Sequence, residues 1–232
     1  MPVNTAPDGE PGRRVAIVTG GSRGVGRATI SRLAASGYSV VVNYLHDQRA
    51  AESAVEAILA GSSDAVAVRA DVADELDVQR LFAETIAAFG GIDVVVHAVG
   101  SRISATPLFE AGLDEFDALV RINTRASFIV NREAARHLRN GGAIVNLSSS
   151  AEGSSPAARS LYAAIKAATD ILTRVLALEL RDRSITVNTV SLEVSRPCAP
   201  GRAADVIAHL LSDHGRHFTG QVFRVGDPGF RP

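Results

Sequence analysis

Seven short runs rich in β-branched residues alternate with longer segments of 3.6-residue apolar periodicity, and this alternation constrains the 232-residue chain more than any other feature. The strand-like runs are Val15 to Thr19, Ser39 to Asn43, Ala65 to Arg69, Ile92 to Val96, Ala143 to Leu147, Ile185 to Val190 and Gln221 to Val225. Most are almost continuously apolar, the pattern of strands buried on both faces. Helical segments run from about Gly24 to Ser36, Gln48 to Ala60, Asp74 to Phe89, Asp114 to Arg139, Ser160 to Arg181 and Arg202 to Leu211. In Gln48 to Ala60, the side chains of Ala51, Ala54, Val55, Ile58 and Leu59 make one apolar stripe, and Gly61 is expected to supply the left-handed position that ends the helix. Strict alternation requires right-handed crossovers, hence an α/β fold with a doubly wound, seven-stranded parallel sheet and helices on both faces.

Neither an internal repeat nor a linker divides the chain, so residues 13–232 are expected to form one domain preceded by a disordered lead-in, 1–12, that has prolines and charges but no apolar run. With 46% hydrophobic residues, 21% charged residues and a net charge of -1, the composition argues against a nucleic-acid binder and against a basic membrane anchor. Nowhere do about 18 consecutive apolar residues occur, as a membrane-spanning helix would need. The single cysteine, Cys198, excludes an intramolecular disulfide and fits a cytoplasmic location. The six histidines form no H-E-x-x-H helix, and His214 and His217 flank Gly215 and Arg216 in an expected loop, so no metal site is expected. Among 24 basic residues only one is a lysine, Lys166.

In a sheet of this kind ligands bind at the carboxyl ends of the strands, where strand order reverses. The first such end reads Thr19-Gly20-Gly21-Ser22-Arg23-Gly24-Val25-Gly26, directly between a strand and a helix. Glycines there allow backbone amides and the positive helix end to meet a pyrophosphate. After the second strand an acidic residue would accept hydrogen bonds from an adenosine 2'-hydroxyl and repel a 2'-phosphate. This chain has Asn43 and Tyr44 instead, with Arg23 in the glycine loop, so NADP(H) is expected over NAD(H). Tyr162 and Lys166 lie four apart in a helical segment and share one face. A cation about 4 Å from a phenol is worth roughly 4 kcal/mol at an effective dielectric near 20, enough to pull a group that titrates near 10 towards neutrality.

The loop matches T-G-x-x-x-G-x-G at every fixed position, and Tyr162-Ala-Ala-Ile-Lys166 matches Y-x-x-x-K, with Ser149 thirteen residues earlier. On these motifs the chain resembles the short-chain dehydrogenase/reductase family from Arg13 to Val225, with the 3-oxoacyl-carrier-protein reductases nearest in flavour. The resemblance implies a Rossmann-type fold and a homodimer or homotetramer. It implies that Tyr162 donates a proton to a carbonyl oxygen, that Ser149 hydrogen-bonds the same oxygen, and that Lys166 lowers the tyrosine pKa and holds the nicotinamide ribose. Asn123 would position a water in the proton relay, while Gly20, Ser22, Arg23, Gly24, Val25, Gly26, Asn43, Tyr44, Asp71, Val72, Ala98 and Gly100 would line the cofactor, Asp71 at the adenine. The implied activity is reduction of a ketone, acyl-carrier-bound or polyketide-type; the alternative is a non-catalytic nucleotide-binding scaffold on the same fold.

Three departures bear on that reading. The family's Asn-Asn-Ala-Gly after the fourth strand is His97-Ala98-Val99-Gly100 here, with loss of amides that brace the sheet and the cofactor. The expected Pro-Gly after the sixth strand is Leu192-Glu193, which puts a carboxylate either near the nicotinamide end or in solvent; the next nicotinamide-contacting positions fall near Ser195 and Pro197. Only Val194 to Gly201 joins that strand to the following helix, so most of the substrate lid is expected to be missing.

Overall fold

The computed structural model describes residues 12–100, 106–150, 160–193 and 199–225. Seven parallel strands form one sheet in the order β3-β2-β1-β4-β5-β6-β7. They are β1 Val15–Thr19, β2 Ser39–Tyr44, β3 Ala65–Arg69, β4 Ile92–His97, β5 Leu138–Ser150, β6 Thr186–Glu193 and β7 Val222–Val225. The order reverses between β1 and β4, which opens the crevice where a ligand binds. The helices are α1 Gly24–Ala35, α2 Gln48–Ala60, α3 Glu75–Phe89, α4 Leu113–Leu119, α5 Ala126–His137, α6 Ser160–Glu179 and α7 Pro200–Leu211.

Two cores follow from strand alternation. Ala16, Val18, Val94 and Val96 point towards α1, α2 and α7, while Ile17 and Val95 point towards α3, α5 and α6. Every residue of β1 is buried, as a strand covered on both faces must be.

Several boundaries differ from the periodicity. The segment 114–139 is not one helix: α4 and α5 are joined by a π-helical stretch, Val120–Arg125, and the chain is already a strand at Leu138. Leu138 pairs with Ile92, and the next paired residues are Val94 and Ala143, so β5 bulges at 139–142 before resuming its register. Gly61 does not adopt the left-handed conformation that ends α2; it sits at φ -87° and the turn falls one residue later, on Ser62 at φ 62°. The last helix begins at Pro200 and not Arg202, because proline at the first helical position has no amide left unbonded. His214 and His217 lie in a short 3-10 helix, Asp213–His217. The lead-in 1–11, Ser195 and Pro197 lie outside the described residues, as does the Glu193 side chain.

One register row matters for the site. Thr19, His97, Asn146 and Thr189 stand side by side across β1, β4, β5 and β6, all fully buried and all on the α5/α6 face. Polar groups at such depth need partners. The Thr19 hydroxyl lies 2.9 Å from His97 Nδ1, Asn131 and Asn146 exchange reciprocal amide bonds, and Asn146 donates to Thr173, which pairs with Thr189 at 2.8 Å.

Candidate active site

At the carboxyl end of β1, Gly20 and Gly24 adopt φ of 64° and 55°, and Arg23 precedes α1 in an extended conformation without a side-chain cap. No acidic residue occupies the first turn of α1, so its positive end faces the loop uncompensated. A Cβ on Gly26 would meet the Gly20 carbonyl oxygen at 2.2 Å, so only glycine lets the helix start fold under the loop. This cradle fits a pyrophosphate, whose charge the amides and the helix end would meet.

Asn43 holds the cradle from behind. Its Oδ1 accepts from the Gly20 amide at 3.4 Å, and its amide donates to the Ala70 and Val68 carbonyls at 3.0 and 3.3 Å. Buried between β1, β2 and β3, it braces the loop and leaves the end of β2 to Tyr44 and the exposed Arg23. The next acid along the chain, Asp47, accepts from the Ala50 amide at 3.0 Å and caps α2. Asp71 is tied on both oxygens, to the Ala73 amide at 2.9 Å and to Arg121 at 2.6 Å. Partial burial works to raise its pKa, but the Arg121 hydrogen bond and the Ala73 amide outweigh it and hold the carboxyl below its usual range. Ser22 and Val25 are half-buried in the loop, and Val72 is buried in the α3-side core.

The second part of the crevice gathers at Gly100, three residues past β4. A Cβ there would fall 2.7 Å from Lys166 Nζ and 3.1 Å from Asn123 Oδ1, so two side chains from different elements converge on this glycine. Asn123 reaches it from the π-helical turn, where its amide donates to the Leu119 carbonyl at 3.0 Å. Widened turns of this kind recur at functional sites because they re-aim one side chain without ending the helix. Lys166, only 5% exposed, comes from α6, with Nζ 6.0 Å from the centroid of the Tyr162 ring one turn earlier. Burial pushes its pKa down to about 8, against the opposing pull of Asp170.

Ser149 stands at the end of β5, in register with Leu192, and its hydroxyl donates to the Leu192 carbonyl at 3.1 Å. A rotation is required before it can donate to a substrate oxygen. Ala98 anchors the opposite wall, where its amide donates to the Thr19 hydroxyl at 3.1 Å. Through Thr19, His97 thus ties the β4 end to the start of the glycine loop. Sequence reasoning passed over that bond and over Thr169 and Asp170, although both of these follow Lys166 at helical spacing. Among the described residues no cluster of three or more potential metal ligands occurs, and no helix is long and apolar enough to cross a membrane.

A glycine cradle at the switch point of a doubly wound sheet, beside a Tyr-x-x-x-Lys helix whose lysine is buried, defines the class of dinucleotide-dependent α/β oxidoreductases. The comparisons agree. The short chain dehydrogenase family model matches residues 14–196. Versicolorin reductase 1 of Aspergillus parasiticus is 41% identical over 254 aligned positions that take in 94% of this chain and 97% of that protein. A short chain dehydrogenase of Burkholderia cenocepacia, solved in complex with NADP, superposes with a TM-score of 0.84 at 34% identity over 92% of this chain and 96% of its own. LugOII, described as a promiscuous reductase that catalyses keto-reduction at C1 during lugdunomycin biosynthesis, gives 0.83 at 30% identity over 91% and 94%. The chain belongs to the short-chain dehydrogenase/reductase family, a nicotinamide-dependent oxidoreductase acting on C=O or CH–OH groups.

Proposed function

We propose that this protein is an NADPH-dependent reductase of a polyketide-type or carrier-bound ketone, with residues 13–232 as one catalytic unit and Asn123, Ser149, Tyr162 and Lys166 as the catalytic set. The observation that carries the reading is the convergence of Lys166 Nζ and Asn123 Oδ1 on Gly100, with Tyr162 one turn away on the same helix. When bound, the reduced nicotinamide supplies the hydride. The chain supplies the proton: Tyr162 Oη donates to the carbonyl oxygen, and the Lys166 ammonium stabilises the phenolate left behind. Ser149, turned from the Leu192 carbonyl, gives the oxygen a second donor.

Preference for NADPH rests on the end of β2, which carries Asn43 and Tyr44 in place of an acid, with Asp47 occupied as a helix cap and Arg23 exposed. The NADP complex of the Burkholderia relative supports it. A ketone acceptor is supported by the names of the versicolorin and lugdunomycin reductases. The versicolorin reductase alignment spans 254 positions, more than the 232 residues of this whole chain, so that relative carries residues within the aligned span that have no counterpart here. This fits a shortened lid and an acceptor large enough to bring its own buried surface. The apolar outer stripe of α6, with Phe128 on α5 as the one large exposed apolar residue there, supports a homodimer or homotetramer; the place of action proposed is the cytoplasm.

Fluorescence titration is expected to show NADPH binding at least about tenfold tighter than NADH, a difference of roughly 1.4 kcal/mol. Tyr162→Phe should keep cofactor binding and lose ketone turnover by about 100-fold or more. Equal turnover by the variant and the wild type over a ketone panel would refute the assignment.

A further inference from the structure

Three buried polar atoms behind Lys166 have no hydrogen-bond partner among the described residues: His97 Nε2, Ser148 Oγ and Thr169 Oγ1. Their positions converge. His97 and Ser148 lie on adjacent, paired strands and on the same sheet face as Asn146, the face covered by α6. On α6, Lys166, Thr169 and Thr173 are all buried and recur at helical spacing. Thr173 bonds Asn146 and Thr189, and Lys166 reaches Gly100, so Thr169, one turn from each, lies over the strip between them, where His97 and Ser148 stand. Isolated buried polar atoms are uncommon, and each costs about 1–3 kcal/mol if left dry. A buried water typically satisfies about three such groups.

We propose that His97, Ser148 and Thr169 hold a buried hydration site between α6 and the sheet, one or more ordered waters that solvate the Lys166 ammonium from its inner side. The Thr19 hydroxyl accepts from the Ala98 amide and pairs with His97 Nδ1; in either imidazole tautomer Nε2 faces the water, as donor or as acceptor. Either way the water keeps a lone pair for an ammonium N–H. His97, Ser148 and Thr169 are positioning residues that act through the lysine. Among the described residues the titratable groups around Lys166 are Asp170 and Tyr162 on its own helix and His97 from β4; the π-helical turn presents Asn123 and β5 presents serines, all neutral. The importance of the site for turnover rests on the function proposed above, but the site itself does not.

In a high-resolution crystal structure of the cofactor-free protein, an ordered water is expected within hydrogen-bonding distance of His97 Nε2 and of Thr169 Oγ1 or Ser148 Oγ. A dry contact there overturns the proposal. Because Lys166 is the only lysine in the sequence, isotopically labelled lysine gives one resonance whose titration is read directly, without turnover. Thr169→Val keeps the shape and removes the hydroxyl; it should move the lysine titration down by about one pH unit, a tenfold change in the proton equilibrium. Thr169→Ser should restore it, and Ser148→Ala should act in the same direction as Thr169→Val. An unmoved titration in both Thr169→Val and Ser148→Ala overturns the proposal. If the wild type turns over no ketone, the proposed function fails while the lysine titration still decides the hydration site.

Discussion

A proton on His97 would place a second cation in the interior beside Lys166. Burial, aided by that charge, pushes the imidazole pKa down to about 3 from an ordinary value of 6.5. Between those values the unfolded chain binds a proton that the folded protein refuses, so the contribution is fully present above about pH 6.5 and is lost as pH falls towards 3. The slope reaches about 1.4 kcal/mol per pH unit for one such proton. His97→Asn should therefore lose less stability than the wild type between about pH 7 and about pH 4.5 in urea unfolding. Parallel losses would count against a neutral buried imidazole. Lys166 has the same sign in another window: its buried ammonium costs stability below about pH 8 and the cost is relieved as pH rises towards 10.5. The identity of these residues was legible in the sequence, and so was the Tyr162/Lys166 spacing. The partner of His97 was not, because Thr19 is 78 residues away and meets it only through strand pairing.

At the scale of elements, the β-α alternation placed every strand within a few residues of its observed position, apart from the early start of β5. The two misses within 114–139 share one cause. Apolar periodicity runs on through Val120–Arg125 and up to Leu138, but the π-helical turn and the bulge in β5 are settled by what the backbone packs against, which periodicity does not report. The glycine loop is the opposite case, since its strand-loop-helix setting was readable locally. Gly26→Ala should test it at this level: the added Cβ meets backbone and not a movable side chain, so the loop must shift. The variant should fold, with a stability loss of about 1–3 kcal/mol, and bind NADPH at least about tenfold more weakly. Unchanged affinity would remove this loop as the phosphate cradle.

For the whole molecule, an apolar surface stands without a partner among the described residues. Ile171, Val175 and Leu178 form one stripe along the outer face of α6, 57%, 47% and 63% exposed, and Phe128 on α5 is 51% exposed. A stripe of that size on a helix already packed on its other side fits a second copy of the chain, as a self-complementary interface requires. Light scattering should give twice or four times the mass of one chain, and Val175→Glu should lower it by burying a carboxylate in the interface. A monomeric wild type would leave the stripe unexplained by self-association.

By itself the sequence determined the doubly wound fold, the strand-loop-helix setting of the glycine loop and the four-residue spacing of Tyr162 and Lys166, because each is encoded within one strand-turn-helix unit or one helical turn. Only the tertiary structure decided that Asn43 braces the loop from behind, that Asn123 and Lys166 meet over Gly100, and that His97 bonds Thr19 across the switch point. Those relations join residues tens of positions apart, and their geometry exists only once β1, β4 and α6 share a core; local propensity and periodicity carry no record of it.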